Sequence, residues 1–224
     1  VKAFEVLFEI YKTQGWSENE IPEMILTHNL YGLEICDRAA QLAQFAVMMK
    51  ARQYDRNIFN KVKELNICSI RDTNWLDFSI AEEILVGASN KDKEKKQIKL
   101  LQETFKDAKE YGSILKVNGL DFDFWNERIN YFKNNKTISF YGQIINGRLR
   151  YIIKQAKIMQ QQYECVVTNP PYLGSARMSE KLLKYVTDNY KEEKSDLCSV
   201  FYKQALTKYS SKQGYIAFIT TCSW

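Results

Sequence analysis

Nine residues constrain this chain more than any others: Glu164-Cys-Val-Val-Thr-Asn-Pro-Pro-Tyr172. Cys165 to Thr168 are small or apolar and read as a short buried strand. Asn169, Pro170, Pro171 and Tyr172 stop it at once. A proline drives the residue before it into extended geometry and cannot donate to a ladder, so the strand ends rigidly. The chain has three prolines, and two of them stand side by side here. An amide side chain and a flat ring are thereby held at a sheet edge. In an open α/β sheet the carboxyl ends of strands are where ligands bind.

Composition limits what chemistry can sit there. At 224 residues and 45% hydrophobic content the chain can bury a full core, most simply as one domain with an insertion. No apolar run approaches the roughly 18 residues that would suggest a bilayer span, and no signal peptide is visible, so no membrane partner is expected. The five cysteines (Cys36, Cys68, Cys165, Cys198 and Cys222) lie far apart without a CxxC pair, and read as small core residues. His28 is the only histidine. A zinc site, a disulfide framework and a histidine-based nucleophilic triad are therefore not expected, and a reduced cytoplasmic setting fits. The net charge of +5 is compatible with a nucleic-acid partner.

Taken in order, Val1, Phe4, Leu7, Phe8 and Tyr11 share one helical face, which Gly15 ends. A short helix is expected over 17–26 and a strand over 29–36. A helix apolar on most sides follows over 38–52, of the kind that packs on a sheet, and then a strand over 66–70. Strand, helix, strand is the pattern of a parallel sheet. Residues 78–162 break it. They hold a mixed-charge run at 90–99, an amphipathic segment at 100–111, an aromatic-rich segment at 122–132 and a long helix at 144–162. Unstructured connections above roughly 15 residues are uncommon, so this stretch reads as a helical insertion. The lysines of 91–99 read as a solvated helix face, and Phe122, Phe124, Trp125, Tyr131 and Phe132 as the insertion's core. After the Asn-Pro-Pro-Tyr segment come a helix capped by Ser179, a helix over 196–209 and a strand starting at Gly214.

Three strand ends carry polar residues: Glu34 to Asp37, Asp72 with Thr73, and Asn169 to Tyr172. A carboxylate at the end of the second strand of a doubly wound sheet commonly takes ribose hydroxyls. One on the next strand can accept from an adenine amino group. At the third end, the Asn169 side chain and the Pro170 carbonyl are two neutral acceptors, which suit an NH₂ group with two donors. Holding both hydrogens makes the nitrogen more nucleophilic and stabilises the charge that develops on it. Tyr172 offers a ring for stacking. Each feature also has a plainer account. Asn-Pro-Pro-Tyr can be a strand-ending turn, Glu34 a surface carboxylate, Asp37 a helix cap, and Asp72 a cap for the turn before Trp75.

Asn169-Pro-Pro-Tyr172 after an apolar strand resembles the catalytic motif of S-adenosylmethionine-dependent amino methyltransferases, notably the adenine-N6 DNA methyltransferases. Asn29-Leu-Tyr-Gly-Leu-Glu-Ile-Cys-Asp-Arg-Ala-Ala-Gln-Leu-Ala, the Asp196-Leu-Cys-Ser-Val-Phe helix and the closing Ile219-Thr-Thr-Cys-Ser-Trp224 look like the large adenine methyltransferases of restriction-modification and BREX phage-defence systems. The resemblance covers nearly the whole chain. It implies an α/β, Rossmann-like, doubly wound and mostly parallel sheet over 1–224, with 78–162 as a helical insertion. It implies S-adenosylmethionine as methyl donor without a metal, and double-stranded DNA and other defence-system subunits as partners. By position, Glu34 would bind the cofactor ribose, Ile35 would pack on its adenine, and Asp72, with Thr73 beside it, would meet the adenine amino group. Asn169 and Pro170 would hold the target amine, Pro171 would help fix the backbone, and Tyr172 would stack on a flipped base. The family's glycine-rich first motif would lie before Val1 and its target-recognition region after Trp224. The chain thus reads as a catalytic-domain fragment, expected to be inactive alone. Methylation of a protein glutamine amide or of an RNA base amine is the rival within the same chemistry; a non-catalytic DNA-binding scaffold is the rival from another class.

Overall fold

The computed structural model describes residues 1–87, 91–134 and 140–220, with the side chains of residues 140 and 141 left aside. The chain divides into two compact units, residues 1–70 and 71–224.

In the first unit, α1 (Lys2–Thr13) and α2 (Ile21–Met24) precede β1 (Tyr31–Glu34), α3 (Asp37–Arg52), α4 (Ile58–Lys61) and β2 (Asn66–Ser69). Gly15, at a φ of 84°, allows the left-handed turn that ends α1. Phe4 and Phe8, one turn apart, are buried with Ile21, Ile25, Leu26, Val47, Ala51, Ile58 and Val62. Phe8 stacks on Tyr54 at 4.0 Å between ring centres. β1 and β2 are parallel, with Tyr31 opposite Asn66 and Glu34 opposite Ser69, and α3 is the crossover. The strand-helix-strand reading thus holds. Two details differ. The segment expected as a helix over 17–26 is a single α-turn continued by a π-turn over Ile25–Asn29. And α3 is not covered on most sides: it buries Ala40, Val47 and Ala51, while Leu42 and Phe45 are 67% and 62% exposed. Apolar composition alone does not reveal how many faces of a helix are covered.

The second unit begins with α5 (Phe78–Ile84), α6 (Lys91–Thr104), α7 (Ala108–Tyr111), α8 (Phe122–Asn134) and α9 (Phe140–Gln160). Asp77 caps α5, accepting from the Ile80 N–H at 2.9 Å. Residues 91–99 of the mixed-charge run and the first five residues of the amphipathic segment form one helix, α6, whose lysines are exposed and whose Ile98 and Leu101 are buried; the segment's end forms α7. Phe124, Trp125 and Phe132 of α8 are buried, as the aromatic segment suggested.

Next come β3 (Tyr163–Thr168), α10 (Glu180–Asn189), α11 (Leu197–Gln204) and β4 (Ser210–Phe218). Ser179 caps α10 at the Leu182 N–H, and Asp196 caps α11 at the Cys198 N–H. Leu182, Val186, Tyr190, Leu197 and Val200 pack with Ile114 and Met178. β3 and β4 are parallel, Thr168 opposite Phe218. Here β4 starts at Ser210, and Gly214 lies inside it, beside the register shift between Tyr163 and Cys165. A Cβ on Gly214 would lie 2.6 Å from Ser210 Oγ and 2.9 Å from the Tyr163 carbonyl. That glycine marks a close backbone approach rather than a strand start.

β3 also departs from the buried strand expected of it. Its burial alternates, and Val167 is 73% exposed. An apolar run is compatible with cover on one face or two, and β3 has it on one. For the same reason Cys165 is exposed. Cys36 is exposed too, while Cys68 and Cys198 are buried core residues as expected. Cys222 and the closing residues 221–224 lie outside the described residues, as do 88–90 and 135–139.

Candidate active site

At the end of β3 the chain turns through an exposed Asn169, a buried Pro170 and exposed Pro171 and Tyr172. The Tyr172 hydroxyl lies 3.1 Å from Asn169 Oδ1 and 2.7 Å from the Ile219 carbonyl, between which its one hydrogen is shared. The Ile219 N–H in turn reaches the Thr168 carbonyl at 3.3 Å. The turn is therefore tied to the end of β4 by its own aromatic residue. A side-chain carbonyl has two lone pairs, so Asn169 Oδ1 can accept from Tyr172 and from one further donor. Tyr172 as a residue is 45% exposed. An amide held by one contact beside a partly exposed aromatic ring can bind a flat, amine-bearing group.

At the end of β1, Glu34 Oε1 accepts from the Cys36 N–H at 3.0 Å, which turns the carboxylate back over its own strand end. Glu34 lines a cleft of about 220 Å³ with Leu30, Gly32, Leu33, Ala43 and Val47. That is below the roughly 300–1,000 Å³ of pockets enclosing whole small molecules, so it suits part of one. Ile35, just beyond the strand, is 47% exposed. Asp37 lies in the first turn of α3, but its side chain does not cap the helix: the N-cap is Cys36, with no side-chain hydrogen bond. A carboxylate with acceptor capacity left over, beside an exposed apolar side chain, fits the hydroxyls and flat base of a nucleoside.

After β2, Asp72 and Thr73 lie in the second unit. Asp72 Oδ1 accepts from the Asn74 N–H at 3.2 Å, and the Trp75 indole donates to the Asp72 carbonyl at 3.0 Å. Thr73 is 1% exposed, and its hydroxyl donates to the Gln102 carbonyl at 2.8 Å. Its side chain thus secures the loop. Sequence reading missed the partners of this loop. Trp75 carries the Arg148 guanidinium 5.3 Å above its ring. Asn74 and Asp107 exchange two hydrogen bonds, at 2.9 and 3.0 Å. Gln155, fully buried on α9, holds the backbone of Arg71. No local motif announces these pairings, because the partners are tens of residues apart.

Among the described residues there is no cluster of three or more His, Cys, Asp or Glu that could hold a metal ion, and no helix long and apolar enough to cross a membrane.

Two curated proteins are similar over the whole of this chain. The adenine-specific methyltransferase BrxX of Escherichia coli O9:H4 (strain HS) is 32% identical over 248 aligned residues, which are 20% of its own length. The adenine-specific methyltransferase PglX of Lacticaseibacillus casei (strain Zhang) is 32% identical over 233, or 19% of its length. The chain thus spans about a fifth of the length of these relatives. Residues 28–224, from the turn before β1 onward, match the Eco57I restriction-modification methylase family, and the chain belongs to that family.

Proposed function

We propose that the protein to which this chain belongs transfers a methyl group from S-adenosylmethionine to the exocyclic N6 amine of a flipped adenine in double-stranded DNA, as host DNA modification in phage defence. The observation that carries this is the turn after β3: a rigid Asn-Pro-Pro-Tyr at the end of a parallel strand, with the Tyr172 hydroxyl on Asn169 Oδ1. The two adenine-specific relatives support the choice of acceptor. Glu34 and Ile35 would hold the ribose and one face of the cofactor's adenine, and Asp72, in a loop secured by Thr73, its amino group. The bound cofactor supplies an electrophilic methyl on a sulfonium.

The chain's own residues do the rest. Asn169 Oδ1 and the Pro170 carbonyl accept the two N6 hydrogens. The amine's lone pair is thereby directed away from the base plane, and the positive charge that develops on nitrogen meets two carbonyl dipoles already in place. Pro170 and Pro171 fix the backbone, so little ordering is left for the moment of reaction. Tyr172 stacks on the extruded base, and its hydroxyl keeps Asn169 from rotating. The proton released from N6 leaves to solvent, and the chemistry calls for no metal. In the same reading the two parallel strand pairs belong to one doubly wound, Rossmann-like sheet, and residues 78–162 are a helical insertion in it. Other defence-system subunits and a cytoplasmic setting complete the picture.

The test is to give the complete protein labelled S-adenosylmethionine with DNA, RNA or protein. Label recovered as N6-methyladenine in DNA, and lost in Asn169→Ala, is the expected result. Label found only in RNA or protein, or DNA binding without transfer, overturns it.

A further inference from the structure

The loop that carries Asp72 is gripped by side chains that have no part in methyl transfer. Gln155 is completely buried on α9, and its amide is bidentate to one residue. Its Oε1 accepts from the Arg71 N–H, and its Nε2 donates to the Arg71 carbonyl, both at 2.7 Å. This is how a neighbouring strand would pair with Arg71, done instead by one side chain 84 positions away. The residue held is the one immediately before Asp72. The far side of the loop is held from α6 and its C-terminal end. The Thr73 N–H donates to the Phe105 carbonyl at 3.0 Å, and Gln102 Nε2 donates to the Leu76 carbonyl at 2.5 Å.

A buried glutamine bonded at both its oxygen and its nitrogen is often only a core polar group. Here its two hydrogen bonds both go to backbone atoms of a single loop residue, so they fix that residue's position and orientation rather than fill a void. We infer that Gln155 is a positioning residue: α9 sets, through the Gln155 amide, where Asp72 presents its carboxylate, and so sets the affinity for the cofactor. This rests on the reading of Asp72 as a cofactor contact. Because coupling between binding and loop order is reciprocal, bound cofactor also tightens α9.

Four variants of the complete protein test it. Binding of S-adenosylmethionine is measured by calorimetry, its KM and kcat by methyl transfer, and backbone protection by hydrogen exchange. Gln155→Leu leaves the Arg71 N–H and carbonyl without their partner. It should weaken cofactor binding and raise its KM by about tenfold, with kcat at saturating cofactor changed far less. Gln155→Glu keeps the shape but turns a carboxylate oxygen toward the Arg71 carbonyl. It should weaken binding comparably without leaving a cavity, and it stands alone if the leucine variant does not fold. Val186→Ala, in the α10 core, lowers stability without touching the loop and should leave affinity unchanged. In the parent, adding cofactor should slow exchange in α9 as well as in 71–76. Asp72→Ala separates the two ideas. If it weakens binding and the Gln155 variants do not, or do so only as much as Val186→Ala, the inference falls and the cofactor reading stands. If Asp72→Ala has no effect, both fall.

Discussion

Two loops of the second unit are rigid for opposite reasons. The turn over 169–172 is stiffened mainly from within: two adjacent prolines fix the backbone and the Tyr172 hydroxyl lies on Asn169 Oδ1, with one outside tie, to the Ile219 carbonyl. The loop over 71–76 contains no proline and no glycine. It is stiffened from outside, by Gln102, Phe105, Asp107 and Gln155, which follow it by tens of residues. A locally rigid loop keeps its geometry when its surroundings loosen. An externally clamped one transmits what happens to its clamps. The first suits groups that must be in place at the moment of reaction, and the second suits a site whose affinity is set by distant structure.

The largest effect should come from the first loop. On the proposed function, Asn169→Ala removes an acceptor for the reacting amine and should lower the methyl-transfer rate by roughly 10²- to 10³-fold. Cofactor affinity, which the proposal assigns to Glu34, Ile35 and the second loop, should hardly move. Single-turnover transfer alongside calorimetric binding reads both, and a parallel loss of affinity would dissolve the division between the loops. Tyr172→Phe is gentler. The ring stays for stacking, but the hydroxyl on Asn169 Oδ1 and the Ile219 carbonyl is lost. About one net hydrogen bond of positioning disappears, for a rate loss on the order of tenfold. A loss as large as that of Asn169→Ala would mean that the hydroxyl, not the amide, contacts the substrate.

What the sequence revealed follows the same division. Asn169-Pro-Pro-Tyr172 could be read directly because its amide, its two prolines and its ring lie within four residues; only its tie to the Ile219 carbonyl, 47 positions on, left no local sign. Gly15, Ser179 and Asp196 are equally local signals for helix ends, and each sits where a cap or a left-handed turn is made. The parallel pairing of β1 with β2 followed from the strand-helix-strand order. Burial was harder. Cys165 and Val167 look like core in any window, but whether a second layer covers them is decided by other elements. Gly214 looked like a boundary because a glycine inside a strand has no local explanation; its reason is the Tyr163 carbonyl and Ser210 hydroxyl beside it. The clamps on the 71–76 loop left no trace at all, since a glutamine on a helix gives no sign of which backbone it will meet.

Thr73→Val probes the outer clamp with the least disturbance. The replacement is nearly isosteric and leaves the Gln102 carbonyl without the hydroxyl at 2.8 Å. The stability loss should be about 1 kcal/mol, or a fall of roughly 2–4 °C in Tm for a chain of this size. Cofactor affinity should fall with it, because the loop bearing Asp72 loosens. The two prolines at 170–171 should isolate the turn over 169–172, so kcat at saturating cofactor should hold.

The smallest effect is one of pH. Asp107 adopts a left-handed φ of 53°, which aspartate tolerates better than most residues. Its carboxylate pairs with Lys181 at 2.8 Å and accepts from Asn74. The lysine first, and then the asparagine, hold its pKa below the ordinary 3.8. A carboxyl whose folded pKa is depressed binds its proton more weakly in the folded state than in the unfolded one. The stability it contributes is therefore fully present above the unfolded value and fades as pH falls through the lower, folded one. Removing the lysine in Lys181→Met should return Asp107 toward 3.8 and flatten that acid-side loss, with little change at neutral pH because the pair is exposed. Tm followed from neutral pH to below 3.8 compares parent and variant. Curves that stay parallel throughout would show that the clamp on Asn74 holds without the ion pair, leaving Gln155 and Gln102 to fix the loop.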